Sequence, residues 1–370
     1  MPTIPDSHAV TFRAEHAVTW GLVSATGGYG HTQGAFGPGE LGHLGLSPTR
    51  RQAYLHPRSV SAHPMTKEQL MNAHDLQATA RALVAPGKGI LAADESSRTI
   101  EKRLSSIKVD STEENRRAWR ELLFTTAGAG DFISGVILFD ETTRQVAGDG
   151  RPFSEVLEAQ GIIPGIKVDK GTAALAGAPG EKITEGLDGL RGRLAEYRDL
   201  GAKFTKWRAV ITIGEQLPTR TCLLANAEAL ALFAALREHH VRFEGMLLKP
   251  NMVLSGDSCP VQATPQQVAE ATVACLRNSV PAAVPGIVFL SGGQSDTVAT
   301  VHLNAMNRLG PQPWQLSFSY GRALQAPALQ AWKGEASNVP AGQAAFHHRA
   351  KLNGAARSGS YSEEMEKVTT

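Results

Sequence analysis

An α/β fold, with parallel strands ringed by helices in a barrel, is the class that this sequence predicts, and three observations predict it. From Gly87 onward, short apolar runs alternate with longer amphipathic ones, the pattern of parallel strands joined by crossover helices. Polar or charged residues follow the apolar positions at six strand ends: Asp94, Lys167, Lys206, Lys249, Ser291 and Ser319. In a β/α barrel such ends share one rim, where active sites form. The length of 370 residues also fits one barrel of about 250 residues with extensions at its ends.

The chain opens on a segment without a sustained period. Residues 1–64 hold nine glycines, six of the twelve histidines and no lysine, so a disordered extension is expected there. Its origin reads either as an organellar transit peptide or as a translated upstream region behind a misassigned start. At Met65 the character changes: Leu70, Met71, Leu76, Ala80 and Leu83 form a helical stripe, and the folded unit is expected over 65–350. Seven runs then read as strands: 89–94, 134–139, 164–169, 203–210, 244–250, 286–292 and 315–320. That is a TIM (β/α)8-type barrel lacking one strand–helix unit. After Ala350 the sequence turns polar, and 351–370 reads as a flexible tail.

Composition narrows the partners. With 37 basic and 35 acidic residues the net charge is +2, so no global field draws the chain to nucleic acid or to an anionic membrane. A small-molecule partner is expected. The longest mainly apolar stretch, near Val280 to Leu290, is interrupted by Pro281 and Pro285 and falls short of the roughly 18 residues that a span requires. Cys222, Cys259 and Cys275 are odd in number and lack CxxC spacing, which disfavours a disulfide framework or a zinc site and fits a reducing compartment. No cofactor is expected, and no metal. His239-His240 and His347-His348 are adjacent pairs that project in different directions, and HExxH is absent.

Three lysines at strand ends carry the most information. Taken singly, a lysine on an apolar strand is costly unless it snorkels to solvent or pairs with an acid. On one shared rim, crowded ammonium groups lower each other's pKa, leaving one amine unprotonated and able to attack a ketone while the others hold phosphate. Asp94, followed by Glu95-Ser96-Ser97, adds a carboxylate for proton transfer, although aspartate there also suits a helix N-cap. FLSGGQS (289–295) and FSYGRALQ (318–325) each place small residues and a helix start after a strand, exposing backbone N–H groups to an anion. Arg322 supplies a fork-shaped cation for the same anion.

From about Met65 to Leu352 these segments, together with GILAADES, GVILFDET, GIKVDKG, KWRAVITIGE and EGMLLKPNMV, resemble class I fructose-bisphosphate aldolase. The resemblance implies reversible cleavage of fructose 1,6-bisphosphate through a Schiff base on Lys249, a step of glycolysis and gluconeogenesis. It implies proton transfer by Asp94 at the cleaved bond and assistance from Lys206. Ser291, Gly292, Gly293, Ser319 and Arg322 match the cradle for one substrate phosphate. Lys167, Lys102, Arg103 and Ser96 match the surroundings of the other. A homo-oligomer in the cytoplasm is implied as well, or an organellar location if 1–64 is a transit peptide.

Two departures stand out. The glycine expected at Arg98 has become a bulky cation, and the serine expected at Thr99 is a threonine. A family strand with a VEPEI-like motif, whose glutamates include the acid/base that dehydrates the carbinolamine, has no counterpart between KWRAVITIGE and EGMLLKP. Only one helical segment, NAEALALFAALREHH, fills that interval. Strand number, tilt and shear are linked, so seven strands are expected to repack or to leave a gap with unpaired edges. An alternative reading is therefore a catalytically impaired protein that binds sugar phosphates or serves assembly.

Overall fold

The computed structural model describes residues 17–25, 67–235, 243–256 and 259–367. After β1 (Ala17–Ala25) come α1 (Lys67–Leu83), β2 (Gly89–Ala93), α2 (Ser97–Ser105), α3 (Glu113–Phe124), β3 (Ile133–Leu138), α4 (Asp140–Thr143), α5 (Phe153–Glu158) and β4 (Ile163–Lys167). A short ribbon follows, β5 (Thr172–Ala174) and β6 (Lys182–Thr184), then α6 (Leu190–Asp199), β7 (Phe204–Thr212), α7 (Arg220–Ala235) and β8 (Met246–Lys249). The last third runs through α8 (Pro265–Ser279), β9 (Gly286–Phe289), α9 (Asp296–Arg308), β10 (Gln315–Tyr320), α10 (Arg322–Trp332) and α11 (Val339–Arg357).

All seven strands expected from the sequence are present, and they lie parallel in the order β7-β4-β3-β2-β10-β9-β8. The ring does not stay open. β1 stands between β8 and β7 and closes the barrel, antiparallel to both: it pairs with β7 from Ala17↔Thr212 to Ala25↔Phe204 and with β8 from Gly21↔Lys249 to Ser24↔Met246. Two expectations are corrected here. Of the N-terminal extension, 17–25 is a strand and the rest of 1–64 lies outside the described residues, and of the two outcomes expected for seven strands, the gap with unpaired edges is not the one found. The physical reason is the vacancy itself. Two strand edges with free N–H and C=O groups accept an extended segment, and AVTWGLVSA is rich in the β-branched and aromatic residues that favour strands.

Pleating decides which side chains enter the barrel. Ile90, Ala92, Ile137, Phe204, Leu247 and Val288 form an interior cluster with Leu83 and Val84 at the end of α1. Successive residues alternate between faces, so the interior row Ile90–Ala92 continues to Asp94, Phe204 continues to Lys206 and Arg208, and Leu247 continues to Lys249. The apolar plug and the charged rim are thus consecutive layers of one face. Phe204 explains a glycine in the wall, because a Cβ on Gly165 would lie 2.3 Å from its ring. A larger second cluster, including Trp119, Trp207, Phe289 and Trp332, fills the space between strands and outer helices.

The expected flexible tail is also corrected. α11 continues through 351–357, where Leu352 and Ala356, one helical turn apart, are buried together with Asn353. Beyond it, the Tyr361 backbone N–H donates to Asn304 Oδ1 at 3.0 Å and its hydroxyl to Glu366 at 2.7 Å. The polar composition of this stretch reflects internal hydrogen bonding. Among the described residues, no helix is long and apolar enough to cross a membrane.

Candidate active site

A cavity of about 970 Å³ opens at the C-terminal ends of the parallel strands. Nine lysine and arginine side chains line it against five aspartates and glutamates, so the site suits an anionic ligand. Asp94, Lys206 and Lys249 meet in it, from β2, β7 and β8.

Lys206 donates to Asp94, with Nζ 2.8 Å from Oδ2, and both side chains are largely buried. Burial alone would raise the Asp94 pKa, but the charges of Lys206, Lys249 and Lys167, with the Lys206 hydrogen bond, outweigh it and hold the carboxyl far below its ordinary value. Lys249, 5 % exposed, moves the other way. Burial pushes its amine down from 10.5 to about 7; the Asp94 carboxylate opposes the shift, while Lys206 and Arg208 add to it. Near neutral pH the Lys249 amine is thus held close to its titration midpoint, beside an ionised aspartate.

One end of the cavity is built on α2. Ser96 and Arg103 line it, as does Lys167 from β4, whose Nζ reaches the Asp169 carbonyl at 2.9 Å and Oδ1 at 3.1 Å. Lys102, expected here from the sequence, lies exposed on α2 outside the lining. Arg98 and Thr99, the two departures in this loop, both line the cavity, so the bulky cation adds charge to the site. Glu95 fixes this end from beneath. It is buried between Arg103 and Arg120, the latter at 2.5 Å, and receives a bond from Gln325 at 3.0 Å. Burial raises its pKa and the two guanidiniums more than reverse that, so it stays ionised.

At the other end, the loops after β9 and β10 come together. Arg322 donates to the Gln294 carbonyl at 2.8 Å, and Gln294 Nε2 donates to the Ser291 carbonyl at 2.9 Å. Gly292 takes φ +49°, a conformation that favours glycine. Ser319 is buried and its hydroxyl lacks a protein partner. α10 starts just past Gly321, which lines the cavity as Leu290 does, so this helix begins at the cavity wall. Of the five residues expected to cradle a phosphate, Arg322 and Ser291 are linked through Gln294, while none of the five is in the cavity lining, which their chain neighbours Leu290 and Gly321 reach.

Sequence reading passed over Arg208 and Glu95. Arg208 was legible in principle, because it stands two residues beyond Lys206 on one strand and so on the same face. Glu95 was not, since its pairing with Arg120 joins residues far apart in the chain.

The family model for class I fructose-bisphosphate aldolase, a glycolytic family, matches residues 75–236 and 231–370. This chain belongs to the class I fructose-bisphosphate aldolases. A protein of Xanthomonas axonopodis pv. citri named "Probable fructose-bisphosphate aldolase class 1" is 52 % identical over 332 residues, covering 79 % of this chain and 99 % of that one. "Fructose-bisphosphate aldolase 4, cytosolic" of Arabidopsis thaliana is 47 % identical over 333 residues, covering 79 % and 85 %. The solved fructose-bisphosphate aldolase of Plasmodium falciparum, in complex with TRAP and a small-molecule inhibitor, superposes with a TM-score of 0.76 at 44 % identity, covering 78 % of this chain and 96 % of that one. The aldolase match divides at 231–236, where the sequence loses its strand. Against the Xanthomonas protein, 79 % of 370 residues is about 292, so about 40 of the 332 aligned positions have no counterpart here.

Proposed function

We propose that this aldolase cleaves fructose 1,6-bisphosphate reversibly into dihydroxyacetone phosphate and glyceraldehyde 3-phosphate through a Schiff base on Lys249. The observation that carries this reading is the Lys249 amine, buried and shifted to about 7, beside the ionised Asp94. The neutral amine attacks the C2 ketone, and loss of water gives an iminium. Asp94 takes the proton of the C4 hydroxyl, the C3–C4 bond breaks, and its electron pair enters the iminium to form an enamine. Glyceraldehyde 3-phosphate departs, and protonation and hydrolysis of the enamine release dihydroxyacetone phosphate. Lys206 holds the Asp94 carboxylate in place. One phosphate sits in the cradle of Ser291, Gly292, Gly293, Ser319 and Arg322, and the other near Ser96, Arg103 and Lys167 with Lys102 further out.

Cleavage is measured by coupling triose phosphate release to a dehydrogenase. The expected result is turnover that Lys249→Met abolishes, with borohydride and dihydroxyacetone phosphate marking Lys249 in the parent chain. Absence of both turnover and adduct overturns the proposal. The impaired alternative draws no support from the relatives, which are named as aldolases. A cytoplasmic homo-oligomer completes the reading, supported by the name of the Arabidopsis relative for the compartment and checked by light scattering for the assembly.

A further inference from the structure

We propose that β1 is a strand inserted in cis into the slot left between β7 and β8, and that this insertion sets the position of Lys249. The slot is flanked by β7 and β8, and the family match divides between them, at 231–236. Its two walls are strand edges whose backbone groups need partners, and an antiparallel segment satisfies both at once. The ligand of this slot is therefore an extended, uncharged backbone, and AVTWGLVSA fits it without a single ionisable residue.

Dependence on β1 is greatest at the strand that carries the nucleophile. β8 is four residues long and pairs with β9 only at Leu247 and Leu248, whereas it pairs with β1 from Met246 to Lys249. Lys249 itself is registered opposite Gly21 and opposite no residue of β9. The residue after it is held on the β9 side, where the Leu290 N–H donates to the Pro250 carbonyl at 3.1 Å, so β1 supplies the registered pairing of Lys249 itself. A misplacement of about 1 Å at a reacting group costs on the order of 10²-fold in rate, so an element that fixes the last residue of β8 is a positioning element. β1 restores the ladder of the missing strand while bringing no carboxylate in its place.

Two measurements test this. The first is a disulfide between Leu22→Cys and Leu248→Cys, a registered pair, in the full chain with Cys222, Cys259 and Cys275 changed to serine. Opposed antiparallel residues lie about 4.5–5.5 Å apart at Cα, within disulfide reach. Oxidation is expected to close a bridge within one chain at least ten times faster than in the off-register pair Ala17→Cys with Leu248→Cys. Equal rates, or a bridge only between chains, overturn the insertion. The second reads Lys249 and rests on the aldolase proposal: borohydride trapping with dihydroxyacetone phosphate is compared in the full chain and in 65–370. Trapping is expected to fall at least tenfold on shortening, and to return with a synthetic peptide spanning 14–28 but not with its Gly21→Pro form. Should 65–370 not fold, full-length Gly21→Pro is expected to show the same loss while its circular dichroism is retained. Equal trapping in the shortened and full chains overturns the positioning role. A fast registered bridge in a full chain that traps nothing supports the insertion and overturns the aldolase reading instead.

Discussion

Asp94 stands 2.8 Å from Lys206 Nζ, and this one carboxylate also counters the charge of Lys249 and Lys167. It is the link between the two lysines, hydrogen-bonded to Lys206 and opposing the fall in the pKa of Lys249. Asp94→Asn keeps the shape and removes the charge. Two outcomes are expected: kcat falls about 10²–10⁴-fold, the range for loss of one general acid/base, and the Lys249 titration midpoint moves below its parent value, because the Asp94 charge opposes the downward shift. The first is read from steady-state cleavage and the second from the pH dependence of borohydride trapping. A midpoint that stays or rises contradicts the electrostatic account.

The pH dependence of the parent enzyme follows from the same amine. With a folded pKa of about 7 against 10.5, Lys249 binds fewer protons in the fold than in the unfolded chain across that interval. Stability therefore rises with pH from about 7 to 10.5, and the cost of burying the amine is complete below about 7. Nucleophilic competence rises in the same direction, so the acid limb of kcat/KM is expected to have its midpoint near 7. Lys249→Met is expected to be inactive and yet more stable than the parent below pH 7, by on the order of 1–3 kcal/mol, with the gain vanishing as pH approaches 10.5. Urea unfolding at a series of pH values measures it. A Met variant less stable than the parent at acid pH removes the basis for the shift.

The barrel and its chemistry were legible for one reason: period-2 pleating ties the buried row to the rim. Once Ile90, Phe204 and Leu247 read as strand interior, Asp94, Lys206 and Lys249 had to emerge together. The loops after β9 and β10 were legible as loops because small residues stand there between a strand and a helix. What could not be read were pairings set at long range. No local period marks 17–25 as a strand, since its partners are edges that come about 180 to 230 residues later. The contacts of Glu95 with Arg120 and Gln325 are of the same kind, and so is the burial of a tail whose polar side chains bond to one another.

That tail gives the last expectation. Glu366 accepts from Arg349 Nη1 with both oxygens, at 2.9 and 2.7 Å, and from the Tyr361 hydroxyl at 2.7 Å. The Arg349 side chain is 3 % exposed, so its charge has left water and depends on partners inside the fold. Thr300 supplies a neutral one, at 2.5 Å, and Glu366 the countercharge. Glu366→Gln keeps the volume and removes that charge, leaving a buried guanidinium uncompensated. The expected loss is about 1.5–3 kcal/mol, the range for a hydrogen bond to a charged group, read as a lower urea midpoint with unchanged slope. Tyr361→Phe removes one neutral donor from the same carboxylate and is expected to cost less, about 0.5–1.5 kcal/mol. If both variants unfold with the parent, 358–367 is a tail lying on the surface, and α11 carries Arg349 without it.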